Sequence, residues 1–232
     1  MWRSLALSIF MIVGLAATAQ AEGKPLIVVE LYTSQGCSSC PPADKFLHEL
    51  AKRNDVIALG LHVDYWDYIG WKDVFGNKAY AERQRAYAHV GGRRSVYTPQ
   101  MIIQGQDHVV GNHPKDVNSL VKMHQAKPVK VALSAVRDGS KVNIEAKAAA
   151  GAAPAVVLLV RYEPSQTTRI VRGENAGRDI SYANIVHELK VVGRWDMAKP
   201  LNLSVRSNSS LKTAIIVQSV DHGPILAAAR VE

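Results

Sequence analysis

Between Leu26 and Arg53 the chain spells a strand, a tight turn and a helix in direct succession, and its only two cysteines lie in the turn. Leu26 to Tyr32 is a nearly continuous apolar run rich in β-branched residues, the pattern of a strand covered on both faces. Thr33-Ser34-Gln35-Gly36 then turns into Cys37-Ser38-Ser39-Cys40, and Pro41-Pro42 follows. Proline suits the first turn of a helix, where its missing N–H is not needed. Phe46, Leu47, Leu50 and Ala51 recur at helical spacing beyond it, so a helix is expected from Pro41 to about Arg53, with Asp44 near its positive end.

Two cysteines three positions apart suit chemistry better than stability. A disulfide closing so short a loop contributes only about 2 kcal/mol in chain-entropy terms, against about 4–5 kcal/mol for a loop near 100 residues. At a helix N-terminus the unpaired N–H groups and the macrodipole favour the thiolate of Cys37, the attacking species in disulfide exchange. Cys40 sits one turn on and can resolve a mixed disulfide. The expected site therefore needs Cys37 ionised and reachable. A zinc site of four thiolates from one chain is excluded by the cysteine count. A site of two cysteines and two histidines stays arithmetically open, though His108 and His113 do not share a helical face; no metal or cofactor is assigned.

Residues 1–21 read as a signal peptide: Arg3 supplies a positive start, Leu5 to Ala17 an apolar stretch, and Ala19-Gln20-Ala21 a small-residue cleavage pattern. The expected destination is the periplasm or the exterior, with no stable membrane insertion after cleavage. With 28 Lys and Arg against 20 Asp and Glu, loss of Arg3 leaves a mature formal charge of +7. The basic residues are scattered rather than striped with aromatics, which argues against nucleic acid as a partner.

The remaining pattern divides the chain. Val56 to Val63 reads as a second strand, Lys78 to Val90 as a helix capped by Asn77, Gln100 to Gln104 and Asp107 to Val110 as a hairpin, and His113-Pro114 as the opening of a further helix. This alternation predicts a mixed sheet flanked by helices over residues 22–127. From 128 to 232 seven short strand candidates follow, several with period-two alternation, which predicts a β-sandwich. Within the first of these halves, Asp64 to Phe75 gathers Tyr65, Trp66, Tyr68 and Trp71, aromatics able to roof the dithiol, bind a ligand or pack an interface.

The strand–C-x-x-C–helix, the order of the elements after it and Thr98-Pro99 before the third strand together resemble the thioredoxin superfamily. That resemblance implies a thioredoxin-like N-terminal domain, a cis-proline at Pro99 facing the dithiol, and a substrate strand docking on Thr98. It also makes Glu30, on the first strand, the counterpart of a buried acid that moves a proton for the resolving cysteine. Gly36 and Ser38-Ser39 depart from the usual residues around the dithiol, so the redox direction is not implied. Glu30 to Asp44, His62 to Asp73, Tyr97 to Gln100 and Arg172-Gly173-Glu174-Asn175 further resemble a family of exported bacterial proteins without an established activity. The function expected is thiol–disulfide exchange on protein or small-molecule thiols, with Cys37, Cys40 and Glu30 catalytic and Thr98, Pro99, Trp66 and Trp71 lining the substrate groove. A non-catalytic envelope binding protein and a thiolate metal chaperone stand as alternatives.

Overall fold

The computed structural model describes residues 25–231; the expected signal peptide lies outside them. Among the described residues eleven strands and three α-helices follow one another as β1 (Ile27–Thr33), α1 (Pro41–Ala51), β2 (Val56–His62), α2 (Lys78–Val90), β3 (Gln100–Ile103), β4 (Asp107–Val110), α3 (Pro114–Gln125), β5 (Val131–Asp138), β6 (Lys141–Ala148), β7 (Ala155–Arg169), β8 (Asp179–Trp195), β9 (Leu201–Arg206), β10 (Lys212–Ser219) and β11 (Ile225–Arg230), with one turn of 3-10 helix at Asp67–Ile69. Each element expected from the sequence is present, most near their expected bounds; β7 and β8, expected over 155–162 and 185–192, are about twice as long. Their assembly is not the expected one.

Eight strands form a single sheet in the order β11-β10-β7-β8-β2-β1-β3-β4, and β5-β6-β9 form a second, three-stranded sheet. The expected fold class, a thioredoxin-like α/β domain followed by an all-β sandwich, is therefore corrected. Four of the seven C-terminal strands extend the sheet begun by the N-terminal ones, and only three are left to pack across it. The join is β8 lying parallel to β2, with Ile185 opposite Gly60. Gly60 permits this close approach, since a Cβ there would stand 3.0 Å from the carbonyl oxygen of Ala183. Periodicity along a strand tells which face is buried but not which strand lies beside it, so the pattern read as a sandwich is equally that of a sheet extension.

β1 sits inside this sheet, parallel to β2 and antiparallel to β3. All seven of its residues are buried, which accounts for its unbroken apolar run. Ile27, Val29 and Leu31 meet Phe46, Leu47 and Leu50 of α1 and Val117 and Val121 of α3. Val28 and Tyr32 face the other way, toward Tyr80, Ala81 and Tyr87 of α2. The second sheet covers the remaining part of the large one, with Val142 and Ile144 packed on Val157, Leu159 and Ile215.

β7 and β8 make a hairpin far longer than its sequence announced. It bends where register is lost between Arg161 and Tyr162, beside Pro164, which can donate no ladder hydrogen bond. Asn184 takes up the bend in a left-handed conformation (φ 45°) and donates from Nδ2 to the carbonyl of Ala58 at 2.8 Å. Beyond the bend the hairpin tip runs over the C-terminal end of β1, where the cysteines are.

Candidate active site

Cys37 and Cys40 are joined as a disulfide. Ser34 begins the turn that holds them: its carbonyl accepts from Cys37 N at 3.1 Å, its hydroxyl accepts from Gly36 N at 3.1 Å, and Cys40 N then donates to Cys37 O at 3.2 Å. α1 begins only at Pro41, with Cys40 as its N-cap, so Cys37 lies one turn ahead of the helix. Cys37 exposes 2 % of its surface and Cys40 none, while Ser38 and Ser39 are exposed. The expected open approach to Cys37 is corrected accordingly. The Ser39 hydroxyl lies 3.5 Å from Cys37 Sγ and also donates to Thr98 O at 3.5 Å, so it stands beside the sulfur as a small side chain on the surface.

Three distant segments converge on the turn. From the 64–75 loop, Trp71 Nε1 donates to Gln35 Oε1 and Trp66 Nε1 to Thr98 Oγ1, each at 2.8 Å. A Cβ on Gly36 would lie 3.1 Å from Trp66 Cβ and 3.3 Å from Ile69 Cδ1, which is why glycine stands before the first cysteine. From the 96–99 segment comes Thr98, joined to a buried Pro99 through a cis peptide bond. From the hairpin tip come Thr168, Gly173 and Asn175. The expected groove residues Trp66, Trp71, Thr98 and Pro99 are thus gathered at the dithiol, but both indole N–H groups are already engaged. The aromatic that stays outside is Tyr68, 78 % exposed and stacked near-parallel to Trp66.

Glu30 lies elsewhere. Its neighbours on β1 alternate between faces, and Glu30 falls on the α2 face with Val28 and Tyr32. There Arg83 Nη2 meets its carboxylate at 2.7 Å and the Tyr32 hydroxyl donates to it at 3.0 Å, in a fully buried ion pair. The acid on the α1 face is Asp44, four residues after Cys40 and 2 % exposed. Thr33 donates to its Oδ1 at 2.8 Å; its Oδ2 has no partner. Burial pushes this carboxyl up to about 7 from an ordinary 3.8, against the opposing influence of His62 and of the Thr33 hydrogen bond.

Beside it lie two further buried groups. His62 Nδ1 meets Asp73 Oδ2 at 2.7 Å, both residues being 1 % exposed. The same Asp73 oxygen accepts from Gln35 N at 2.8 Å, so it is shared between the histidine and the dithiol turn. The ring of Tyr182 stands edge-on to His62 at 4.8 Å, and burial raises its phenol well above the usual range. Among the described residues no group of three or more His, Cys, Asp or Glu side chains gathers as a metal site requires.

Asp44, His62 and Asp73 are site residues to which the sequence assigns no part in the dithiol chemistry, whereas Asn175 belongs to the 172–178 turn, which the sequence offers as a contact surface for the non-catalytic binding reading. Asp44 was legible: Cys40, Asp44 and Leu47 fall on one helical stripe, which places a carboxyl on the apolar side of α1. His62 was legible more weakly, as a polar residue between Leu61 and Val63 in a buried run. For Asn175 the sequence marks the turn but gives no sign that it lies beside the cysteines.

The model of a family described as "protein of unknown function (DUF1223)" matches residues 28–218. Among solved structures, the crystal structure of protein AGR_C_4864 from Agrobacterium tumefaciens is 32% identical over 90% of this chain and 95% of that one, with a TM-score of 0.79. HBP35 of Porphyromonas gingivalis aligns over 89% of this chain and 74% of that one, with a TM-score of 0.58; at 12% identity the likeness is one of fold alone. No curated protein matches the chain.

Proposed function

The chain belongs to the DUF1223 family, and for this member we propose thiol–disulfide exchange at Cys37–Cys40, carried out after export from the cytoplasm. The observation that carries the reading is a disulfide set between a β-strand and a helix, with the buried Asp44 carboxyl one helical turn on, one of its oxygens held by Thr33 and the other without a partner. A disulfide that only braced a turn has no use for a carboxyl held near neutrality, and burying one costs stability. Export is supported by the Arg3-led apolar stretch and small-residue cleavage pattern, and it places the protein among partner disulfides.

The chemistry runs from the oxidised pair. An incoming thiolate attacks Cys37 Sγ, forming a mixed disulfide and releasing Cys40 as the leaving sulfur. Asp44, protonated below about pH 7, neutralises that sulfur by passing it a proton. A second thiolate attacks the substrate sulfur of the mixed disulfide, which leaves as the substrate disulfide, and Cys37 departs as thiolate. Two substrate thiols lose two electrons and the protein disulfide gains them; Asp44 regains its proton from solvent. Run backward, the same steps reduce a substrate disulfide, and the relative potentials set the direction.

The test is refolding of scrambled ribonuclease and reduction of insulin, with native protein and Cys37→Ser side by side. Native protein accelerates at least one of the two and Cys37→Ser neither. If native protein matches the uncatalysed rate in both, the disulfide is a brace and the reading is lost.

Access to Cys37 is the step most open to adjustment. Ser39 is exposed and its hydroxyl sits beside the sulfur, so Ser39→Gly removes the nearest obstacle without touching the core. Reduction by dithiothreitol is expected to run several-fold faster in Ser39→Gly than in native protein, measured under identical pseudo-first-order conditions. Equal rates would place the barrier in the 64–75 loop or the hairpin tip instead.

A further inference from the structure

We propose that Asn175, at the tip of the β7–β8 hairpin, is a positioning residue that sets the redox equilibrium of Cys37 and Cys40, so that the C-terminal strands complete the dithiol site. The proposal takes its purpose from the thiol-exchange reading, but the equilibrium it concerns can be measured whether or not the protein turns over a substrate.

The geometry is specific. Asn175 is 1 % exposed, and its Nδ2 donates to two carbonyls, Gln35 O and Cys37 O, each at 3.0 Å. Its Oδ1 accepts from Arg178 Nη1 at 3.1 Å, which fixes which end of the amide points at the turn. Cys37 O also accepts from Cys40 N, so both lone pairs of that oxygen are used, one by the resolving cysteine and one by the hairpin. The adjoining Gln35 is held at every polar atom of its side chain, by Trp71 at Oε1 and by Thr168 Oγ1 at 3.2 Å from Nε2.

The tip that presents Asn175 is itself braced. Ile170 N donates to Arg178 O at 2.9 Å, Gly177 N to Ile170 O at 2.8 Å, and Ala176 N to Gly173 O at 3.1 Å. Gly173 has φ +76°, and a Cβ on it would stand 3.1 Å from Trp71 Cβ, so only glycine lets the tip turn this way and come this near. A polar group carried on a rigid element and locked by its neighbours is what positioning requires.

The consequence for redox chemistry follows from effective concentration. How strongly an internal disulfide is favoured over an external one depends on how often the two thiols meet in bonding geometry. Asn175 and Cys40 N both grip the carbonyl of Cys37, so the hairpin holds the first cysteine in register with the second. Without the grip the reduced turn samples wider arrangements, and disulfide closure becomes less favourable.

The test is equilibration of the protein with reduced and oxidised glutathione, reading the fraction of Cys37–Cys40 disulfide. Asn175→Ala is expected to lower the equilibrium constant for closure about tenfold, which is about 30 mV toward the oxidising side for a two-electron couple. Arg178→Ala, an exposed change that only frees the amide, is expected to lower it two- to threefold. A residue that merely holds the fold together stabilises the disulfide and dithiol forms equally and leaves this constant where it was. Constants within twofold of native for Asn175→Ala overturn the proposal; should that variant fail to fold, an unchanged constant for Arg178→Ala does so. A normal shift in an inactive protein would count against thiol exchange, not against Asn175.

Discussion

Cys40→Ser will turn the protein into a trap. With Cys40 gone, Cys37 can still attack glutathione disulfide, but no neighbouring sulfur can expel the glutathione it has acquired. The product is a mixed disulfide that outlasts the reaction. In Cys37→Ser the remaining thiol lies where Cys40 does now, with none of its surface exposed against 2 % for Cys37 and no exposed Ser39 hydroxyl beside it, so adducts should form there more slowly. The two single variants are chemically alike and differ only in which sulfur survives. Intact-mass spectrometry after a timed exposure to glutathione disulfide measures both. Adducts forming equally fast on the two, or on neither, would remove the division between attacking and resolving cysteine on which the mechanism rests.

Asp44→Asn will stabilise the protein at alkaline pH and leave it little changed in acid. In the folded protein this carboxyl titrates near 7, whereas its ordinary value is 3.8. The unfolded chain therefore gives up the proton first, and between about pH 4 and pH 7 the folded state holds the extra proton. Stability must fall as pH rises through that window. About three pH units at about 1.4 kcal/mol each gives about 4 kcal/mol, present at pH 4 and lost by pH 8. Asparagine keeps an oxygen to accept from Thr33 and has nothing to ionise, so the loss disappears with it. Thermal or urea unfolding of the two proteins across this range isolates the term, since every other titrating group is common to both. A difference in stability that does not change with pH would show that Asp44 is not held protonated. The same variant cannot supply a proton to Cys40, so its exchange rate should drop even as its stability rises.

What the residues declare in advance, and what they do not, separates along physical lines. Local order was legible. The apolar run ending at Tyr32, the paired prolines after Cys40, and Thr98-Pro99 each act within a few residues and appear where the sequence places them. Partnership across the fold was not. Glu30 is an acid on the strand before the dithiol, as expected, yet strand alternation turns it toward α2, where Arg83 neutralises it. Thr33, three residues on, faces α1 and reaches Asp44. An odd difference in position decides the face, but only the packed structure says which face the cysteines need.

Alternation along the C-terminal strands predicts a body of their own, and alternation alone allows that. It cannot tell that Ile185 lies beside Gly60. Asn175 is the extreme case, a polar residue in a polar loop whose two acceptors are 140 and 138 positions away.

The parallel join between β2 and β8 also bears on how the molecule can be made and cut. Until residue 185 arrives, β2 has an uncovered outer edge whose backbone amides and carbonyls await a partner, the kind of edge along which chains stick to one another. A fragment ending after α3 is therefore a sheet with a raw border, and it also lacks the hand that holds the cysteines. The turn that carries the disulfide is thus completed only once the β7–β8 hairpin is in place.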